Sequence, residues 1–331
     1  MAAEVGSVAW AAIQKYDLSW PEVDEDGYAL LAAGLQAFAE LVDDDTWAAN
    51  QHMQRLLSSG EGEAMNALKE HWDRIKGQDM TPIAGAARVL ASAVSPLPTV
   101  IAELKSSIVS VAARMAAQET FALAQAAGSP AAPVAVAQAN AKTAQATDST
   151  YRSVVENLWT SLQSVLKDPS VIALENVPAD LAGTSGGGGG SRWKDAFDQA
   201  GSGAEKGVGS GIGAGATGGA APGRAIGGFL RVNHEEHRLA AGKIAEVGLK
   251  VRGETTAKLN AAVGDHGTVK SSGSLATDLA QVVDLVLDRL STATAAIGHH
   301  LSGALPDAIL LVSSSQQDTD DGNRQRMAQL D

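Results

Sequence analysis

The residues of this chain best suited to chemistry are two histidine pairs. In the segment His234–His237 (His-Glu-Glu-His) the two imidazoles are three positions apart. A zinc hydrolase helix instead needs two histidines four positions apart, so that both ligands share a face with the catalytic glutamate. The adjacent His299 and His300 point in different directions on a helix. We therefore predict that His234–His237 forms a solvated helix face and that neither pair binds a metal.

Two further segments match chemical motifs only superficially. Gly209–Gly215 is glycine-rich like a phosphate-binding loop, but no strand pattern precedes it and no Gly-Lys-Ser/Thr follows. The consecutive acids Asp24–Asp26 would diverge on a helix, and after Pro21 they fit a helix start better than a metal site. Cysteine is absent, which excludes disulfides, thiolate catalysis and cysteine-ligated metals. The sequence thus predicts a non-enzymatic protein with no cofactor and no metal.

The composition predicts an all-α protein. Of the 331 residues, 45% are hydrophobic but only 4% are aromatic, and much of the apolar content is alanine. Alternating β-branched runs are scarce, whereas apolar positions recur at helical spacing. The net charge of −13 leaves no basic surface for a nucleic acid. No basic region followed by an apolar core occurs near Met1, so we expect no general secretory signal peptide.

A glycine-rich segment at residues 183–230 is predicted to join two helical parts. The first part, residues 1–182, would be an elongated helical bundle built on a helical hairpin with extra helices. The second part, residues 231–331, would be a second helical hairpin. A hairpin of this size offers little core of its own, so we expect it to dock on the first part or on another protein.

The glycines of this segment recur every four positions. They are Gly203, Gly207, Gly211, Gly215, Gly219, Gly223 and Gly227. The spacing fits either a flexible tether or a glycine zipper, in which two helix backbones approach closely. The uncharged window between Lys206 and Arg224 is short and contains Pro222, so membrane insertion is the minor alternative. The run Gly186–Ser191 would also fit an engineered linker.

Apolar periodicity predicts the helices of the first part. One helix covers residues 28–57, Ser58–Gly62 is a turn, and Glu63 opens the second helix of a hairpin. We expect a break at Gly77–Pro82, because glycine and proline both disfavour a helix interior. Later helices are predicted to be kinked at Pro96 and Pro98 and to end at Asp168 and Pro169. Three tryptophans at helical spacing are predicted to pack in the core or between helices: Trp47, Trp72 and Trp159.

The second part is predicted to contain two helices. Asn233 suits the N-cap of the first helix, which would continue to Val263. Gly264–Gly273 is predicted to be a loop. The last helix would begin near Ser274, bend at Pro306 and fray after Ser313.

The hairpin of the first part resembles the WXG-type proteins of actinobacterial type VII (ESX) secretion. In that family a helical hairpin carries Trp-x-Gly at its turn, followed by small and aromatic residues on the next helix. Here Gly60, Glu61, Gly62 and then Trp72 occupy this pattern, with Gly60 in place of the tryptophan. The first part is more specifically similar to the WXG-like domain of secreted polymorphic toxins, in which a glycine-zipper segment often follows the helices.

The C-terminal hairpin resembles the EspC-type ESX secretion-associated family. That family often ends a helix with a Tyr-x-x-x-Asp export signal. Gln316 and Asp320 occupy its two positions here, so the acid matches and the tyrosine does not. The family usually pairs two hairpins into a four-helix bundle, sometimes with the turn motif of one beside the export signal of the other. The resemblance thus implies that Gly60, Gly62 and Trp72 lie near Gln316 and Asp320.

These resemblances imply a non-enzymatic type VII secretion substrate, or the targeting or adaptor module of a polymorphic effector. Its partners would be the secretion machinery or a helical chaperone or effector, and a homo-oligomer is a further option. The protein would be cytoplasmic before export and secreted afterwards. The alternative from another class is a membrane-active or oligomerising structural protein that uses the glycine zipper.

Overall fold

The computed structural model describes residues 6–125, 131–185 and 233–328. Helices make up almost all of these residues and no β-strand occurs among them, so the predicted all-α class is confirmed. In chain order the helices are α1 (Ser7–Lys15), α2 (Glu25–Ser58), α3 (Glu63–Arg74), α4 (Thr81–Val94), α5 (Leu97–Gln125), α6 (Ala131–Val165), α7 (Pro169–Ala173), α8 (Val177–Ser185), α9 (His234–Lys250), α10 (Thr256–Lys270), α11 (Ser274–His299) and α12 (Leu305–Ala328).

Three π-helical segments interrupt otherwise continuous helices. The first π-segment (Ile75–Met80) joins α3 to α4, the second (Val251–Thr255) joins α9 to α10, and the third (His300–Ala304) joins α11 to α12. The first and third each end two residues before a proline, Pro82 or Pro306. Proline donates no N–H and its ring clashes with the carbonyl of the preceding turn. The wider π-turn gives that carbonyl room, so each helix continues through its proline.

The π-segments correct two predictions about helix ends. The break expected at Gly77–Pro82 is wrong, because the first π-segment carries the helix across it and the Thr81 hydroxyl donates to the Lys76 carbonyl over 2.7 Å. The fraying expected after Ser313 is also wrong, since α12 runs to Ala328.

The loop predicted at Gly264–Gly273 is shorter than expected. Helix α10 continues to Lys270 because His266 and Val269 are buried within it. His266 also lies 2.9 Å from the Asp284 carboxylate of α11, which holds this last stretch of helix against its neighbour. Tertiary packing therefore outweighs the low helix propensity of Gly264 and Gly267.

The helices form two compact units, each of which contains residues from before and after the glycine-rich segment. Among the described residues, unit 1 comprises residues 6–37, 87–125, 131–168 and 258–288, and unit 2 comprises residues 38–86, 169–185, 233–257 and 289–328. Helices α2, α4, α10 and α11 contribute residues to both units. The division of the sequence into parts at residues 1–182, 183–230 and 231–331 stays a prediction.

The core of unit 1 forms where α1 packs on α5. Buried side chains of α5 recur every three or four residues and meet the buried face of α1. They are Leu104, Ile108, Ala112 and Met115 on α5, and Ala9, Ala12 and Ile13 on α1. The periodic stripe explains why a helix poor in aromatic residues still buries a continuous apolar surface.

The core of unit 2 forms where α9 packs on α12 and on the third π-segment. A buried charge is satisfied there, because Asp45 of α2 accepts from Thr255 Oγ1 over 2.6 Å and from Lys250 Nζ over 3.0 Å. Trp47 lies off the buried stripe of α2 and is 65% exposed, so the prediction that it packs in the core is wrong. Trp72 is fully buried and Trp159 is half-buried.

A glycine in α9 permits the close approach of the third π-segment. A Cβ atom at Gly248 would lie 2.3 Å from the backbone N of Ser302 and 2.5 Å from the backbone C of Leu301. We expect Gly248→Ala to lower the free energy of unfolding by about 1–3 kcal/mol, because backbone atoms would have to shift. Urea unfolding followed by circular dichroism measures this change.

The matched control is Gly242→Ala in the same helix. A Cβ at Gly242 would meet no atom within 4 Å. Alanine there is expected to raise the free energy of unfolding by about 0.5–1 kcal/mol through helix propensity. Equal effects of the two substitutions would show that Gly248 is not a packing contact.

Candidate interaction site around the α2–α3 hairpin

Helices α2 and α3 form an antiparallel hairpin whose turn lies at Gly60–Gly62. Trp72 Nε1 donates to Asn50 Oδ1 over 3.1 Å, and the two residues lie equally far along the chain from Glu61. Gly62 precedes α3 with φ 131° and ψ 176°, a conformation that is strained for any residue with a Cβ. The predicted turn is confirmed, and glycine at position 62 has a backbone reason.

Trp72 is a structural residue of this hairpin. Its side chain is completely buried, and its indole N–H is satisfied by Asn50, which also accepts from Lys76 Nζ over 3.4 Å. The core role predicted for Trp72 is therefore confirmed. Any partner that binds this end of unit 2 would touch other side chains.

The first turn of α9 bridges the end of α2 and the middle of α12. Arg55 donates two hydrogen bonds to the Glu236 carboxylate, over 2.8 Å from Nε and 2.7 Å from a terminal nitrogen. His234 Nδ1 lies 2.7 Å from the Ser313 hydroxyl of α12. Asn233 Oδ1 accepts from the backbone N–H groups of the first turn at 3.2 and 3.3 Å, which confirms the predicted N-cap. The hairpin turn and α12 are thus connected through α9.

The predicted export-signal residues follow this connection in the chain. Gln316 and Asp320 belong to α12, about one and two helical turns after Ser313. Their side chains lie outside the described ones, so their proximity to Gly60 and Gly62 stays a prediction. The zipper glycines from Gly203 to Gly227 also lie outside the described residues.

A buried pair of histidines lies beside Trp72. His71 Nε2 is 3.2 Å from His300 Nε2, and a terminal nitrogen of Arg74 is 2.9 Å from His71 Nδ1. Because Arg74 can only donate, His71 Nδ1 must accept and His71 carries its proton on Nε2. His71 then donates to Nε2 of His300. The network assigns one tautomer to each ring.

The pKa values of both histidines lie far below their usual range. Burial, followed by the neighbouring His300 and the positive charge of Arg74, lowers the pKa of His71 to about 3. Burial and Arg74 lower the pKa of His300 to about 4. Both imidazoles are therefore neutral at neutral pH. No local pattern indicates this pair, since His71 and His300 are 229 residues apart.

The first π-segment contains a buried acid that sequence analysis also missed. Asp79 is 1% exposed, and neither carboxylate oxygen has a hydrogen-bond partner within the described residues. Burial and the negative charge of Asp180 raise the pKa of Asp79 to about 7, while Arg74 opposes this shift. The segment around Asp79 was expected to be a break, where an acid would be solvated, so no local signal indicated its burial.

His237 corrects the prediction of a solvated face at His234–His237. Its ring is fully buried, and Nδ1 lies 3.0 Å from the Asn233 carbonyl. Burial lowers the pKa of His237, and the contact with Asn233 offsets this only in part. The face is buried because α9 packs against α12 and the third π-segment.

Two helical stretches, Ala64–Gln125 and Ser274–Ser314, are long and apolar enough to cross a membrane by length and composition. Their mean hydropathies are 1.3 and 1.2, and 44% and 50% of the apolar windows are buried. Core helices of soluble proteins show the same combination, so this is weak evidence for a membrane span. No group of three or more metal-ligating side chains occurs within the described ranges.

The fold and this site define an all-α protein in which helices from both ends of the chain meet around one hairpin. Comparisons with known protein families, with curated proteins and with solved structures found no match to the chain.

Proposed function

We propose that this chain is a non-enzymatic type VII (ESX) secretion substrate or targeting module that acts through contacts between helices. The observation that supports it most is the α2–α3 hairpin. Its turn requires glycine at Gly62, and Trp72 of the second helix locks the two helices together through Asn50. Gly62 and Trp72 belong to the WXG-like pattern.

The proposed mechanism is display of a composite end to the secretion machinery or to a helical chaperone. Arg55 holds the first turn of α9 against α2, and His234 holds the same turn against α12 at Ser313. The helix that carries Gln316 and Asp320 continues from that point. A secretion ATPase or chaperone would read Asp320 beside the hairpin turn. Export would take the folded protein from the cytoplasm to the outside, and no cofactor or nucleic acid takes part.

Export from an actinobacterial host, with and without an intact type VII ATPase, tests this proposal. We expect export to require the ATPase and to fall at least about tenfold in Asp320→Ala, the loss of one charged contact. Gln316→Tyr, which restores the tyrosine of the signal, should increase export. The matched controls are Asp318→Ala and Gln317→Tyr, which alter the same helix outside the motif.

Retention of every variant in the cytoplasm would contradict the proposal. It would favour the alternative, a membrane-active or oligomerising structural protein that uses the glycine zipper. Trp72→Ala is not a suitable probe of the signal, because its buried side chain stabilises the hairpin and its loss would destabilise the fold by about 3–5 kcal/mol.

A further inference from the structure

The hairpin of α5 and α6 in unit 1 is fastened by polar contacts below its tip. Asn140 Nδ2 of α6 donates to the Met115 carbonyl of α5 over 3.3 Å and to the Tyr16 hydroxyl over 2.9 Å. Tyr16 in turn donates to Glu119 of α5 over 3.2 Å, and Lys15 is paired with the same carboxylate. Helices α1, α5 and α6 are thus held together at this level.

Beyond these contacts the hairpin exposes large apolar side chains. We call residues 120–125 and 131–139 the tip. Phe121 is 66% exposed, Leu123 60% and Val134 59%, and they are among the most exposed large apolar residues in the described part of the chain. The sequence from Thr120 to Ala141 contains no charged residue, although 19% of the whole chain is charged. The tip therefore carries no charged side chain, and its exposed polar side chains include the amides of Gln125 and Gln138.

Two basic residues lie at the base of the tip, one on each helix. Arg114 of α5 and Lys142 of α6 are exposed, and neither has an ion pair among the described residues. Residues 106–147 contain these two cations and one acid, Glu119, for a net charge of +1, while the chain as a whole has −13. A local positive charge below an apolar surface is complementary to the phosphates of a lipid headgroup layer.

We propose that this tip inserts into the interfacial layer of a phospholipid bilayer, with Arg114 and Lys142 at the phosphates. From Glu119 to Gln125, α5 rises about 9 Å, and α6 rises about 9 Å from the exposed Val134 to Asn140. An apolar face buried about 5–10 Å into the headgroup and acyl boundary is typical of interfacial insertion. The length, the apolar side chains and the position of the cations fit that depth together.

Insertion of the full-length protein can be followed with a single fluorescent label. The chain has no cysteine, so Leu123→Cys carries an environment-sensitive dye at one site. Vesicles of phosphatidylcholine, with and without phosphatidylglycerol, should shift the dye emission to the blue. The same dye on Val8→Cys is the control, since Val8 is 67% exposed on α1, away from the tip. Its emission should not change.

Vesicle flotation of unlabelled variants tests the contribution of each group. Phe121→Ser combined with Leu123→Ser should lower the partition coefficient at least about 100-fold, about tenfold for each apolar side chain removed. Val8→Ser should have no effect. Arg114→Gln combined with Lys142→Gln should weaken binding mainly to vesicles that contain phosphatidylglycerol.

Two results would overturn the proposal. One is no flotation and no emission shift with either vesicle. The other is dye emission that is already blue-shifted before vesicles are added, together with a doubled molecular mass by light scattering. That result would make the tip an interface between two copies of the chain. Export of the Phe121→Ser, Leu123→Ser variant by the type VII route would be unaffected in either case, so the outcome is separate from the proposed function.

Discussion

Asp79→Asn is expected to raise the free energy of unfolding by about 4 kcal/mol at pH 8. The Asp79 carboxyl is buried in the first π-segment, and its oxygens have no hydrogen-bond partner within the described residues. Burial and the charge of Asp180 raise its pKa to about 7. At pH 8 the folded protein must therefore hold an ionised carboxylate in an apolar surrounding. The amide has nearly the same shape and carries no charge.

The gain from this substitution depends on pH in a defined direction. Below pH 3.8, the ordinary pKa of aspartate, the carboxyl is neutral in the folded and unfolded states alike and the gain vanishes. Between pH 3.8 and about 7 only the folded state holds the proton, so wild-type stability falls by about 1.4 kcal/mol per pH unit as the pH rises. Above pH 7 the free-energy cost of holding the ionised Asp79 carboxylate in the folded protein no longer changes with pH. Urea unfolding at pH 4, 6 and 8 measures it.

Asp73→Asn is the matched control for Asp79→Asn. Asp73 lies on the exposed side of α3, where it pairs with Lys69 over 3.4 Å. An exposed pair of this kind contributes little, so we expect a change below about 0.5 kcal/mol at every pH. If Asp79→Asn raised the free energy of unfolding by the same amount at pH 4 and pH 8, the gain could not come from removing a buried charge.

The sequence predicted those parts of the fold that depend on local signals. The periodicity of α2 and α3, the turn at Ser58–Gly62 and the N-cap at Asn233 each depend on residues within a few positions of one another, and all three are confirmed. The same locality explains why the all-α class was predictable from composition and spacing.

The sequence could not predict what distant packing determines. Gly77, Pro82 and Gly264 are helix breakers by propensity, but π-turns and buried neighbours keep their helices continuous. The contact between His71 and His300 joins residues that no local pattern relates. Asp79 was missed for the same reason, because burial of a lone acid follows from the helices around it.

Acidification from pH 6.5 to pH 4 is expected to destabilise the protein through His71 and His300. Their folded pKa values, about 3 and about 4, lie below the ordinary value of 6.5. The neutral pair therefore contributes its full stability above pH 6.5 and loses it as the pH falls, because the unfolded state takes up protons first. Each histidine contributes a loss of about 1.4 kcal/mol per pH unit in this range.

Protonation of Asp79 offsets part of this loss of stability. The Asp79→Asn variant therefore gives the most direct test of the prediction. Over the same range the stability contribution of Asp79 rises by about 1.4 kcal/mol for each unit that the pH falls. His71, His300 and Asp79 together contribute a net loss of about 1.4 kcal/mol per unit, to which the lowered pKa values of His237 and His266 add. In Asp79→Asn the loss should be steeper than in the wild type by about 1.4 kcal/mol per unit. Acid unfolding of both proteins, followed by circular dichroism, measures the two slopes.

Replacing the pair tests its assignment directly. His71→Leu combined with His300→Leu should make the acid limb shallower, whereas His299→Gln, at the exposed neighbour of His300, should leave it unchanged. An equal effect of the two changes would exclude the buried pair as the cause. Nitrogen NMR gives an independent readout, because Arg74 donates to His71 Nδ1. His71 should then carry its proton on Nε2 and His300 on Nδ1, and the opposite tautomers would contradict the direction of the network.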